Sequence, residues 1–216
     1  SNAVGVSPYS AVVTVTTPTL PLLLKTMTFE GGSLKDLTTG ADAVSGSVAL
    51  EGVTPLKGRY SAKMIGTSKY LEERFTATVD LYVSVYVRLT ALPTSDVRLL
   101  QVMNSSTTVG NLVLRAGGQL RLRNSSTTIG ADSAPLVVGQ LYRIGLHQRA
   151  GTGANAMLEA FAAVGDGEFG SPFATTAAGI WKTLATKVRI GATTGSLSAI
   201  VDDAMFTTNV MPWPSN

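Results

Sequence analysis

Hydrophobic and polar positions alternate along most of this chain. The clearest stretch is LYVSVYVRL, Leu81 to Leu89. On an extended backbone Leu81, Val83, Val85, Val87 and Leu89 fall on one side, and Tyr82, Ser84, Tyr86 and Arg88 fall on the other. The same period predicts strands at 22–30, 44–51, 60–65, 97–103, 111–116, 119–124, 140–148, 156–164, 186–191 and 198–207. Turn signals separate them: Gly31-Gly32, Pro93, Gly117-Gly118, Gly139, Gly151 to Gly153, Gly165 to Gly170, and Gly195. Helical spacing of apolar residues is found only weakly, around Ala156 to Val164. Many short strands with one apolar side each pack best as an all-β, two-sheet antiparallel sandwich.

One heptapeptide occurs twice, NSSTTVG from Asn104 and NSSTTIG from Asn124, with NLVLRAGGQLRLR running from Asn111 to Arg123 between them. A two-residue Gly-Gly turn in that segment would set Arg115 opposite Leu120 and mix faces. A three-residue loop, Gly117 to Gln119, sets Ala116 opposite Leu120 and Leu114 opposite Leu122, leaving Arg115 opposite Arg121, so the longer loop is expected. The two Ser/Thr tracts then read as strand-and-turn grammar on the hairpin's shoulders: Thr favours extended backbone and each closing Gly permits a bend. A single recurrence does not make a solenoid. Asn104 and Asn124 also head Asn-Ser-Ser sequons, which carry a glycan only in a host that attaches one.

Composition narrows the classes. With 216 residues, 44% hydrophobic and 14% charged, the chain is long enough for one sizeable core. No apolar run reaches bilayer length, so no membrane insertion is expected; the run at Leu20 to Leu24 is cut by Pro21 and followed by Lys25. Zero cysteines exclude disulfides and thiolate chemistry but leave the compartment open. The net charge of +3 becomes informative once located. Between Ser84 and Ala150 lie Arg88, Arg98, Arg115, Arg121, Arg123, Arg143 and Arg149, opposed only by Asp96 and Asp132. Nucleic acid is a poor partner, because the total positive charge is modest and no binding motif is present.

Ser1-Asn2-Ala3 resembles a cloning scar. VGVSPYSAVVTVTTP, Val4 to Pro18, resembles the last strand of a fibronectin type III domain, so residues 4–19 are expected to be such a strand and linker, with that domain as a neighbour in a longer protein. From there on the pattern resembles the concanavalin A-like (laminin G-like) jelly-roll superfamily. The matching pieces are Phe29-Glu30-Gly31-Gly32, Gly58-Arg59-Tyr60-Ser61-Ala62, Gly118 to Leu122, Gly139-Gln140-Leu141-Tyr142-Arg143 and Val201 to Met205. The resemblance implies one jelly-roll domain over 20–216, in an extracellular, secreted or surface-attached protein of bacterial or phage-related origin. Modules of this kind commonly bind carbohydrate or mediate adhesion, and some are enzymes, so fold alone does not settle function.

Three chemistries are open to these residues. Hydrolases on this fold resemble one another in an acidic triplet, Glu-x-Asp-x-x-Glu, on one strand, which is absent here, although a glycosidase needs two carboxyl groups across the bond. The lyases of the superfamily use a Tyr and a His with neighbouring Arg and Gln, and His147-Gln148-Arg149 with Tyr142 is a faint echo; the plainer expectation is a lone His147 at a strand end, bonded locally. The domain is therefore expected not to be an enzyme. The resemblance also implies a structural calcium between Glu30 and Asp202, with backbone carbonyls completing six or more oxygen ligands; the alternative is Glu30 in a turn and Asp202 or Asp203 paired with Lys or Arg. The binding candidate is a basic, tyrosine-bearing sheet face, Tyr82, Tyr86, Arg88, Arg115, Arg121 and Arg123. Aromatic rings stack on sugars and Arg forks grip their oxygens, so the expected partner is a polysaccharide or cell-surface glycan, including an acidic one. The same residues also suit an ordinary solvated face of a structural spacer or protein-interaction domain.

Overall fold

The computed structural model describes residues 20, 22–176, 179–181 and 183–215. The expected scar at 1–3 and the fibronectin-like segment at 4–19 lie outside the described residues. Among the described residues none is helical, and fifteen strands are formed. The N-terminal strands are β1 (Leu23–Met27), β2 (Ala43–Ser45) and β3 (Ala49–Glu51). The long β4 (Ser61–Thr78) leads into β5 (Asp80–Leu89), the strand of clearest alternation. There follow β6 (Val97–Asn104), β7 (Thr107–Leu114), β8 (Leu120–Asn124) and β9 (Thr127–Ile129). The rest are β10 (Leu141–Arg149), β11 (Gly151–Gly153), β12 (Met157–Val164), β13 (Ala174–Thr176), β14 (Gly179–Trp181) and β15 (Ala185–Thr207).

All pairs of named strands are antiparallel, and together they build a jelly-roll-type β-sandwich. The front layer runs β13-β12-β10-β5-β15, with β4, β3 and β1 beyond β15. The back layer runs β9-β8-β7-β6-β15, with β4 and β2 beyond. Thus β4 and β15 serve both layers. Residues 196–207 of β15 pair in front and residues 185–192 behind, and the register slips between Ala192 and Ser196 where the strand passes from one layer to the other. Gly191, at φ 119°, and Gly195, at φ 70°, make that bend in conformations that side-chain-bearing residues rarely adopt. The apolar side of β5 is fully buried and shares one core with Leu100, Val102, Leu112, Leu122, Ile144 and Leu146. Each such side chain contributes about 1.5–3 kcal/mol on leaving water.

The fold departs from the sequence reading in three places. The strand expected at 60–65 continues to Thr78, and those at 186–191 and 198–207 are one strand, because a bend at glycine interrupts the apolar pattern without ending the pairing. The hairpin register also differs. Leu114 pairs with Leu120 and Leu112 with Leu122, so Leu still meets Leu, but the loop is Arg115 to Gln119 and Arg121 faces Val113 rather than Arg115. Leu136 fixes this longer loop: its amide donates to the Gly118 carbonyl at 2.9 Å, and its own carbonyl oxygen would lie 2.9 Å from a Cβ on Gly118. Third, each Ser/Thr tract is itself a tight turn. Asn104 pairs with Thr107 and Asn124 with Thr127, leaving Ser105-Ser106 and Ser125-Ser126 as two-residue loops.

Ser105 and Ser125 hold φ of 49° and 51°, which costs a residue with a Cβ about 1 kcal/mol. The double variant Ser105→Gly, Ser125→Gly is expected to gain about 1 kcal/mol and to melt about 2–4 °C higher in calorimetry. An unchanged or lower midpoint would mean that the turns carry no such strain.

Candidate functional site

The polar side of the front layer gathers most of the titratable groups that the sequence singled out. Pairing of β5 with β10 sets Tyr82 beside His147, Ser84 beside Gly145 and Tyr86 beside Arg143. β12 adds Glu159, Phe161 and Ala163 to those rows, and β15 adds Thr207, Met205 and Asp202.

In the first row His147, 2% exposed, lies between two carboxylates: Nε2 is 2.6 Å from Asp80 Oδ1 and Nδ1 is 2.8 Å from Glu159 Oε2. These partners stand 67 and 12 residues away in sequence, so the bonding is not local. The Tyr82 ring stacks on the imidazole with centroids 3.8 Å apart and planes 5° from parallel. Burial alone would lower the pKa of His147, but the hydrogen bonds to Asp80 and Glu159 outweigh it and raise it. The His147 bond in turn lowers Glu159. Tyr82 is pushed up to about 12, by burial first and then by the charges of Asp80 and Glu159. When protonated, His147 donates through both N–H groups and has no lone pair with which to take a further proton, and Tyr82 at about 12 is a neutral phenol at neutral pH. The cluster ties β5, β10 and β12 together through Asp80, His147 and Glu159.

The middle and third rows are covered. A Cβ on Gly145 would lie 3.0 Å from Phe169 Cζ and 3.2 Å from Met211 Cε, so these two side chains sit directly on the glycine. Arg143 is buried, its guanidinium 4.1 Å from the Phe169 centroid, and it donates to the carbonyls of Pro212 (3.3 Å) and Gly167 (3.0 Å). Burial lowers its pKa. Tyr86, 1% exposed, donates to Asp166 at 2.8 Å, and Lys57 pairs with the same carboxylate while lying 4.8 Å from the tyrosine centroid. The loop at 165–170 and the segment at 210–215 therefore lie across this face. What stays open is a cavity of about 210 Å³ lined by Arg143, Glu168, Phe169, Met211, Pro212, Trp213 and Pro214, with Trp213 itself half exposed.

The predicted binding row is thus divided. Tyr86 points away from the sandwich core but is buried, because the two loops close over it. Tyr82 is half-buried against His147, and Arg88 donates to the Thr54 carbonyl at 2.6 Å. Arg115, Arg121 and Arg123 belong to the other layer and its β7–β8 loop. There Asp132 takes Arg121 through Nε (2.7 Å) and Nη2 (2.9 Å) and Arg115 through Nη1 (2.9 Å). Asp96 pairs with Arg123 at 3.4 Å. The two acids that oppose the arginines in sequence are the ones that bridge them in space. The Arg121 bond holds Asp132 below the usual carboxylate range.

Glu30 and Asp202 flank one loop, 56–61. Glu30 Oε1 accepts the amides of Arg59 (2.9 Å) and Tyr60 (3.1 Å). Asp202 Oδ2 accepts the Lys57 amide (3.1 Å) and the Ser61 hydroxyl (2.6 Å), and its Oδ1 accepts the Asp203 amide (2.8 Å). Among the described residues no group of three or more His, Asp or Glu side chains is placed to hold a metal, so a calcium between Glu30 and Asp202 would draw most of its oxygen ligands from backbone carbonyls. Burial pushes Asp202 up to about 7.

The sequence reading missed a second polar cluster, on the back layer. Glu72 and Glu73 point to opposite sides, as adjacent residues on a strand must. Glu72 is buried and meets Arg74, Lys187 and Arg189, whereas Glu73 meets Lys25. Tyr70-x-Glu72-x-Arg74 and Lys187-x-Arg189 carry the period-two signal, but the first lies in the part of β4 not read as strand.

No family model matches the chain, and no curated protein sequence matches it. Solved structures do resemble it. The alginate lyase Aly36B aligns with a TM-score of 0.61 at 8% identity, over 90% of this chain and 100% of its own. The cellulose-induced protein Cip1 aligns at 0.59 and 17%, over 87% and 99%. Domain 4 of AbnA, a GH43 extracellular arabinanase from Geobacillus stearothermophilus solved with arabinotriose, aligns at 0.56 and 12%, over 90% and 96%. At these identities the likeness is one of fold.

Proposed function

We propose that this chain is a concanavalin A-like, non-catalytic carbohydrate-binding or adhesion module of a larger extracellular protein, with a fibronectin type III domain as neighbour. Support comes from the company the fold keeps, which includes a domain holding arabinotriose, a cellulose-induced protein and an alginate lyase. The observation that carries the non-catalytic part is the filled front face: His147 is tied to two carboxylates, Gly145 lies under Phe169 and Met211, and the Arg143 guanidinium lies against Phe169. Trp213, at the rim of the remaining cavity, offers a flat apolar surface for a sugar ring.

Two measurements test this. A glycan array on the intact chain is expected to show binding, weakened about tenfold by Trp213→Ala. Incubation with uronate polysaccharides is expected to release no unsaturated products absorbing in the ultraviolet, and their appearance would make the protein a lyase. Loop 56–61 is braced by amide donors to Glu30 and Asp202, so the melting midpoint is expected to be the same with and without a chelator; a drop of several degrees would show a bound calcium. The second reading, a spacer without small ligand, is favoured by the way Asp96 and Asp132 neutralise the arginine row, and an empty array would select it.

A further inference from the structure

The back-layer cluster around Glu72 differs from every other charged group described above in its imbalance. Pairing of β4 with β15 sets Glu72 opposite Arg189, Tyr70 opposite Gly191, and Arg74 opposite Lys187. On the other side β2 contributes only small residues, Ala43 beside Glu72 and Ser45 beside Tyr70. The small β2 residues, with Gly191 beside Tyr70, leave a cavity of about 270 Å³, lined by Ala43, Ser45, Tyr70, Glu72, Arg74 and the pair Lys187 and Arg189.

Glu72 forms its buried floor. Its Oε1 takes Nε and Nη2 of Arg74, each at 2.7 Å, and its Oε2 takes Nε of Arg189 at 2.7 Å and Nζ of Lys187 at 3.2 Å. Burial alone would raise the Glu72 pKa, yet the hydrogen bonds from Arg189, Arg74 and Lys187 hold it at about 2, so the carboxylate stays charged at any ordinary pH. Three cations share one anion, whereas in the Arg115–Arg121–Arg123 group three share two. Asp42, the nearest further acid, accepts the Arg74 backbone amide at 2.9 Å. Arg189 uses Nε rather than its terminal fork on Glu72, and its guanidinium lies 4.7 Å from the Tyr70 centroid. The Arg74 side chain is 64% exposed. A concave site in which three cations meet a single carboxylate, with oriented Arg donors and an aromatic wall, is complementary to a planar or tetrahedral oxyanion on a ring-bearing molecule.

We propose that this pocket binds an oxyanion carried by a sugar, either a uronate carboxylate or a sulfate ester. The anion would complete the charge balance that Glu72 leaves short, and Tyr70 would bear on the sugar ring. The assignment rests on the glycan-binding reading for its sugar part and gives the chain a second sugar site, on the layer opposite the Trp213 cavity.

Isothermal titration of the intact chain with trigalacturonate, a 6-sulfated oligosaccharide and neutral arabinotriose tests it, with Arg74→Gln and Tyr70→Leu as variants. Arg74→Gln leaves Lys187 and Arg189 on Glu72, and an unchanged melting midpoint will confirm that it folds. Binding of either charged sugar, weakened about tenfold or more by Arg74→Gln and falling with added salt, is the expected result, and the sugar that binds names the oxyanion. Charged-sugar binding untouched by both variants would overturn the pocket and leave the glycan reading standing. Binding of arabinotriose alone would do the same. No binding to any glycan would remove both.

Discussion

Gly191→Val is expected to destabilise the domain by more than about 3 kcal/mol, enough to lower its urea midpoint sharply or prevent folding. A Cβ at Gly191 would meet Met64 Sδ, lie 2.5 Å from the Lys69 carbonyl oxygen and lie 2.9 Å from Tyr70 Cα. Two of these three contacts are backbone, which cannot rotate away. The residue also holds φ 119°, where a β-branched side chain is strained even in open space. The cost is large because the position is the bend at which β15 leaves one layer for the other, so strain there loosens pairings with β4 in both. Gly170 is the control: nothing lies within 4 Å of its would-be Cβ, and Gly170→Val is expected to change stability by less than about 0.5 kcal/mol. Equal, small effects from the two variants would mean that β15 does not pass from one layer to the other at Gly191.

The second large effect is a stability that peaks in mildly acid solution, near pH 5, and falls by pH 8. Asp202 is raised by burial from 3.8 to about 7, so the folded state holds a proton that the unfolded chain releases. Its contribution is complete below about 4 and is lost as the pH climbs through 7; the gap corresponds to on the order of 4 kcal/mol as an upper bound. His147, raised above 6.5 by Asp80 and Glu159 against the opposing effect of burial, acts in the same direction: its ion pairs stabilise fully below 6.5 and fade as it deprotonates. The opposite limb belongs to Glu51 and Glu72. Amides of Thr54 and Val53 hold Glu51 at about 2, and the three cations overcome burial to do the same for Glu72, so their contributions are present above 4.5 and lost towards pH 2. Calorimetric melts at pH 3, 5, 6.5 and 8 should therefore trace a dome. Asp202→Asn should flatten its alkaline side, at some cost in hydrogen bonds to Lys57 and Ser61. A midpoint that rises from pH 5 to 8, or an Asn variant with an unaltered slope, would contradict the burial of Asp202.

The sandwich was legible in the sequence where apolar residues alternate without interruption. β5, β6, β10 and β12 lie where the period of two places them, because a strand with one buried side must write that burial into every second residue. The later half of β4 was not legible. There Tyr70, Glu72 and Arg74 lie on the polar side while Glu73, opposite them, is buried with Lys25, so charge stands on both faces and the apolar signal vanishes. The same concealment hid the cationic pocket, whose two halves lie more than a hundred residues apart and meet only through the β4–β15 pairing.

Tyr82 and Tyr86 show the complementary failure. Alternation correctly put them on the side of β5 away from the sandwich core, but it carries no information about a further covering. That covering comes from the 165–170 loop and the 210–215 segment, held by Arg143 through two backbone carbonyls and by Asp166 through Tyr86 and Lys57.

By itself, then, the order of residues determined which side of each strand avoids water, where most strands run, and that they stack as two antiparallel layers, since these follow from local period and turn chemistry. Only the tertiary structure decided which polar groups meet. It neutralised the Arg115–Arg121–Arg123 row with Asp96 and Asp132, tied His147 to Asp80 and Glu159, and left three cations around Glu72. Such pairings join residues far apart in the chain, and electrostatic partnership depends on distance in space, which a one-dimensional pattern does not contain.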